Sequence, residues 1–295
     1  MTDSSASAAM DAPEGSLWQP PAWLPPVLLV LIGAGMLWWN PDAWIHPLVD
    51  YGRELYVPWR ITEGAVLYRD IAYFNGPLSP YFNALWFQLF GTNMHVLTVV
   101  NVAIIAGVLA LTYSMLVRIG DRFSATCAGA IFLLLFGFQH TDYLGNFSWV
   151  APYSHEMTHG IGLTVLAVWL VSRYVARPST ILLVGTGLTL GAVFLAKPEV
   201  FAAAVLAVGV GLTAKAIASG SGFAPLLRQL VLVAGTGLVL PALALLLLAS
   251  AMPFGEAFIG TMGGWVHVTN KELMALPFYS DGQGTKDIAA SLAVI

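Results

Sequence analysis

The sequence predicts an all-α polytopic membrane protein with about seven transmembrane helices, the opening of another, and a long outer loop after the first. Three observations predict it. Hydrophobic residues make up 58% of the 295 residues and charged ones 9%, at a mean hydropathy of +0.76, whereas a soluble domain carries about 25% charged residues to cover its surface. Apolar runs long enough to cross a bilayer recur along the chain. Basic residues collect in alternate short connections between those runs. A net charge of -4 with no basic run argues against a nucleic-acid partner, because nothing is available to neutralise phosphates. The single cysteine, Cys127, can form no intrachain disulfide.

Taken in order, the chain opens with "MTDSSASAAMDAPEGS", which has no Lys or Arg and so lacks the basic start of a cleavable signal peptide. Residues 1–21 read as a disordered cytoplasmic tail ahead of a transmembrane domain over 22–295. Ala22 to Trp39 is the first span, with Trp23, Trp38 and Trp39 at the interfaces. Further spans are expected at Met94 to Val117, Phe123 to Phe138, Met157 to Ala176, Thr180 to Ala196, Val200 to Ala214 and Gln229 to Ala251. Thr180 to Ala214 also reads as one hairpin turning at "AKPE". The final "DIAASLAVI" looks like a further span cut short, so the C-terminal part of the domain is expected to be missing.

Arg118 and Arg122, Arg173 and Arg177, and Lys215 and Arg228 flank alternate connections, which places those loops in the cytoplasm. Outside then lie the first loop, residues 40–93, a shorter one at Gln139 to Glu156, and about Met252 to Asp287. After the tail, every acidic residue except Asp121 falls on the outer side. The expected location is multi-pass in the plasma (inner) membrane, with the working face outside or periplasmic.

The first outer loop, "HPLVDYGRELYVPWRITEGAVLYRDIAYFNGPLSPYFNALWFQLFG", is dense in charges and aromatics. A helix over Val49 to Glu63 puts Asp50, Arg53 and Glu54 on one face, with Arg60 two turns on. "RDIAYFNGPLSPYFNALWFQLFG" then joins a charged pair to a Gly-Pro turn and an aromatic-rich interfacial helix. The plain reading is an amphipathic interfacial helix with ordinary ion pairs.

With "VDYGREL" and "LYRDIAYFNGPLSPY", this region resembles the GT-C glycosyltransferases, most closely the glycosyltransferase family 39 group of protein mannosyltransferases and bacterial lipid-sugar transferases. The likeness covers Leu48 to about Gly91 and extends more loosely through "NFSWVAPYSHEMTHG" to "GAVFLAKPEVF". It implies a transferase that moves a sugar from a polyprenyl-phosphate donor to an acceptor lipid, glycan or protein outside the cytoplasm. Asp50 matches the family's loop aspartate, the proposed general base. The sequence departs from the mannosyltransferases in having Tyr51 where they carry an adjacent glutamate, and "NGPL" where they carry "HPPL".

The chemistry suits these residue types. Displacing a phosphate from an anomeric carbon needs a carboxylate within reach of the acceptor's proton, and cations or a metal to stabilise the departing phosphate. Asp50 is the first choice for the base, and Asp70 the second, as a carboxylate orienting an arginine, an acceptor hydroxyl or a metal. Arg53, Arg60, Arg69 and Lys197 are candidate donor-phosphate contacts. Lys197 and Glu199 stand in "FLAKPEVF" at the end of an apolar hairpin, as a functional ion or as a snorkelling, paired lysine.

"PYSHEMTHG" spells H-E-x-x-H with His155, Glu156 and His159, the helical pattern that binds zinc in metalloproteases. Ser154 is a plausible N-cap, which puts the three at the outer mouth of the fourth span. They are candidates for a divalent metal, for the donor phosphate or for acceptor contact, with Asn146 and Tyr153 suited to touching sugar. Two other readings stand beside the transferase. One is a transporter or flippase with a broken helix at Lys197-Pro198-Glu199; the other is an intramembrane zinc protease.

Overall fold

The computed structural model describes residues 21–39, 51–139 and 148–268, together with Asn270, Glu272 and Leu276. Nearly all of the expected tail, the segment that carries Asp50, the one that carries Asn146 and the final "DIAASLAVI" lie outside the described residues. Among those described, every regular element is a helix, and the apolar runs are all helical.

In chain order the helices are α1 (Leu24–Trp39), α2 (Gly52–Thr62), α3 (Leu78–Phe90), α4 (Met94–Ile119), α5 (Arg122–Phe132, continued by one π-type turn, Leu133–Gly137) and α6 (His155–Ala176). After them come α7 (Thr180–Phe194), α8 (Pro198–Ala218), α9 (Phe223–Gly237), α10 (Val239–Ala249), α11 (Phe254–Met262) and α12 (Trp265–Val268). Four stretches are long and apolar enough to cross a membrane: α4, α6, α8 and the joined α9–α10 over Phe223–Ala249. The other apolar helices, Leu24–Trp39, Arg122–Gly137 and Thr180–Phe194, are shorter. The run Val200 to Ala214, short on paper, lengthens at both ends into the 21-residue α8, and Pro198 fits its first turn because no backbone N–H is needed there.

Helix ends follow local chemistry. Asn93 and Asp121 start α4 and α5 by accepting from the backbone N–H groups of His95 (2.8 Å) and Ser124 (2.7 Å). Of the expected helix from Val49 to Glu63, Gly52–Thr62 is observed, and Val49 and Asp50 lie outside the described residues. Ser154 does precede α6, but its hydroxyl makes no bond to the helix backbone and donates to Glu156 instead, at 2.7 Å.

Helix α6 is the hub, packing on α3, α4, α7 and α8. Ala167, Val171, Leu190, Val193, Ala204 and Val208 form the core between α6, α7 and α8. Helix α7 meets α9 through Gly187 and Gly191, a small-xxx-small pair. A Cβ on Gly187 would overlap Thr236 and the Val233 carbonyl, and one on Gly191 would overlap the Gly237 carbonyl. The α9–α10 junction falls here, and Pro241 has no N–H to offer the Gly237 carbonyl four residues back.

The loop from α2 to α3 is set against the α7–α8 turn. Gly76 N–H donates to the Ala196 carbonyl at 3.3 Å and Leu78 N–H to the Leu195 carbonyl at 3.1 Å. A Cβ on Gly76 would overlap the Leu195 carbonyl, so this approach requires glycine. From the other side α11 and its exit close in: Gly263 lies against Gly76, Gly264 against Pro198, and Gly260 against the Tyr68 ring. "NGPL" and "LAKP", more than 100 residues apart in the chain, thus form one contact.

Candidate functional site

At the start of α6, four charged or ionisable side chains meet. Arg53 and Glu54 come from the first turn of α2, and His155 and Glu156 from the first turn of α6. Glu54, His155 and Glu156 are buried, and Arg53 keeps 28% of its side chain exposed. Arg53 donates to Glu54 through Nη2 (2.6 Å) and Nε (3.1 Å), and Nη2 also reaches the Tyr153 carbonyl (3.3 Å) and lies 3.7 Å from Glu156. Its guanidinium stands 5.5 Å over the Phe74 ring.

Glu54 takes a second bond, at 2.8 Å, from His155 Nδ1. Burial pushes the Glu54 carboxyl up, but the contacts of His155 and Arg53 outweigh it and hold the group below its usual value. Glu156 accepts from the Tyr73 hydroxyl and from Ser154. Lys197, half-buried just before α8, is near enough to act electrostatically on Glu156. One turn deeper, His159 Nδ1 bonds Ser79 Oγ on α3 at 2.9 Å, and its ring packs edge-on against Phe82.

The remaining sequence-predicted residues lie elsewhere or act differently. Tyr153 contributes its backbone carbonyl to Arg53. Arg60 pairs with Glu63 in an exposed i,i+3 bridge. Arg69 and Asp70 form a second exposed pair at 2.7 Å. The Asp70 carboxylate receives Arg69 through Nε (3.0 Å) and Nη2 (2.7 Å). Its carboxylate also accepts from Val66 N–H (2.8 Å), bracing a turn in which Tyr68 has φ of 70°, while Arg69 Nη1 donates to the Ala251 carbonyl (2.8 Å) and ties the loop to the α10–α11 connection. The Arg69 guanidinium and that backbone bond hold the Asp70 carboxyl down to about 2. Glu199 is exposed on the first turn of α8 and makes no ion pair with Lys197 among the described residues.

The H-E-x-x-H trio is not arranged as a zinc site. Both ring nitrogens of His155 are engaged, Nδ1 by Glu54 and Nε2 by Asn101 (3.1 Å), so neither presents a lone pair to a metal. Glu156 is held by Tyr73 and Ser154. Among the described residues no group of three or more His, Cys, Asp or Glu side chains is placed to hold a metal ion.

Sequence reasoning passed over Glu54 as a site residue, together with Asn101, Tyr73, Ser154 and Ser79. Asn101 had a readable signal: an amide inside an apolar span is costly unless bonded. Tyr73 had none, because aromatics at an interface need no polar partner. No protein-family model, curated protein or solved structure matches the chain.

Proposed function

We propose that the chain is a membrane glycosyltransferase of GT-C type that moves a sugar from a polyprenyl-phosphate donor to an acceptor on the outer face, with Asp50 as general base. The shorter apolar helices α1, α5 and α7 complete a bundle of about seven spans, and the start of α6 faces outward. The observation that carries the reading is Arg53. Its guanidinium is partly accessible, set beside two buried carboxylates at a helix mouth, and braced by a residue about 100 positions away. A planar cation held in place with part of its side chain exposed suits the oxygens of a departing phosphate. Asp50 stands three residues before it in the chain, and Lys197 supplies a second cation near Glu156.

The carrier reading is less well served. In a transport site built on a broken helix, the unwound carbonyls are open to coordinate the coupling ion. Here the carbonyls of Leu195 and Ala196, at the break between α7 and α8, already accept from Leu78 and Gly76. Purified protein in lipid, given labelled prenyl-phosphate sugar and acceptor, tests the proposal. Asp50→Asn is expected to cut turnover by about 100-fold or more while retaining donor binding, and Arg53→Ala to weaken donor binding. Normal transfer by Asp50→Asn would refute the assignment.

A further inference from the structure

A buried hydrogen-bond chain leads from the loop before α6 to Arg53. It starts at the Val150 carbonyl, which accepts from Asn101 Nδ2 at 3.2 Å. The same amide nitrogen contacts His155 Nε2 at 3.1 Å, His155 Nδ1 contacts Glu54 at 2.8 Å, and Glu54 receives Arg53 at 2.6 Å. Asn101, His155 and Glu54 are buried, and Arg53 alone in the chain has accessible surface.

The direction of every bond follows from its ends. The Val150 carbonyl can only accept, so the NH2 of Asn101 faces it. That NH2 then donates its second proton to His155 Nε2, which must offer a lone pair. The ring proton therefore sits on Nδ1 and points at Glu54. Of the two Glu54 oxygens, Oε2 takes His155 and Oε1 takes Nε and Nη2 of Arg53. A carboxylate held from behind in this way has its plane restrained, and with it the guanidinium resting on it.

We propose that Asn101, His155 and Glu54 are positioning residues that fix one histidine tautomer and thereby aim Arg53 at the phosphate of the bound donor. This rests on the transferase reading for the identity of the phosphate, but not for the chain itself. None of the three touches substrate. Their effect is to pre-set the Arg53 plane, so that little freedom is lost when the anion arrives.

The test combines imidazole 15N NMR, in which the two ring nitrogens report their protonation separately, with titration of a short-chain prenyl phosphate carrying no sugar. In the wild-type protein, His155 Nε2 is expected to be unprotonated and Nδ1 protonated. Asn101→Asp, nearly isosteric, places an acceptor at Nε2; the ring is then expected to carry protons on both nitrogens and to draw Glu54 away from Arg53. Prenyl phosphate should bind about 10-fold more weakly to it, and the donor KM should rise with kcat much less affected. Asn101→Gln, which keeps a donor, should recover part of that loss. His155→Phe is the second variant, expected to weaken prenyl phosphate to a similar degree. A wild-type Nε2 that carries the proton, or unchanged prenyl phosphate affinity in Asn101→Asp and His155→Phe, would overturn the proposal. If the tautomer and the affinity losses are as stated but no sugar moves from any prenyl-phosphate donor, the positioning chain stands and the transferase reading fails.

Discussion

Glu54 shows how one side chain can be costly alone and stabilising in company. A buried carboxylate faces a desolvation penalty of several kcal/mol, which its bonds to Arg53 and His155 offset. Removing one partner leaves the other unpaired, so Glu54→Ala is expected to destabilise the protein by about 3–5 kcal/mol, seen as a lower melting temperature in detergent. The pH dependence has a definite sign. Because the folded carboxyl lies below its ordinary value of 4.5, its contribution is complete above that value and lost as pH falls through the lower, folded one. The melting-temperature gap between wild type and Glu54→Gln should therefore be wide at neutral pH and close on acidification below 4.5. A gap that widens in acid would show that the carboxylate is not stabilised as described. His155 and Glu156 make the same lesson at the level of motif: the spelling H-E-x-x-H is present, yet each residue is committed to a protein partner.

Secondary-structure elements meet here through small residues. The α2–α3 loop, which carries Tyr73, stays on the α7–α8 turn because Gly76 lets two backbones touch. Gly76→Ala forces a Cβ into the Leu195 carbonyl, and the expected loss is about 1–3 kcal/mol, with the Tyr73–Glu156 contact displaced. Gly209 on α8 is the control: a Cβ there meets nothing within 4 Å, so Gly209→Ala should be neutral or gain up to about 1 kcal/mol from helix propensity. Equal melting temperatures for the two variants would rule out the close approach. Existence and type of the long helices were legible from hydropathy alone, because a run such as Met94 to Val117 has one stable form in lipid. Their ends were less so: α8 begins at Pro198, two residues before Val200, and extends four residues beyond Ala214, since first-turn prolines and helix-end chemistry, as well as apolarity, set such limits.

Across the whole molecule, Arg118, Arg122, Arg173, Arg177 and Lys215 lie in or beside the connections α4–α5, α6–α7 and α8–α9, while the cluster of Arg53, Glu54, His155 and Glu156 lies at the opposite end of α6 from Arg173 and Arg177. If the bundle crosses a bilayer, those two ends face different compartments. With Cys127 replaced by Ala, single cysteines at Glu63, exposed after α2, and at Arg177, exposed after α6, should react with a membrane-impermeant thiol reagent from opposite sides of intact cells or sealed vesicles. Labelling from the same side would refute the topology.

The sequence by itself determined the solvent, the helical class, the order of apolar segments and the gathering of acids at one set of loops, because all of these depend on composition and period. It also marked Arg53, His155, Glu156 and Lys197 as unusual, since ionisable groups beside apolar runs are costly without a purpose. Only the tertiary structure decided which of them belong together. Arg60, Arg69 and Asp70 have the same charges as the cluster residues but fall in exposed pairs, whereas Asn101, from the interior of a span, became the anchor of the site. Spacing along a chain specifies neighbours within one helix. Contacts between α2, α4 and α6 arise from how glycines and turns let separate helices approach, and no local pattern records that.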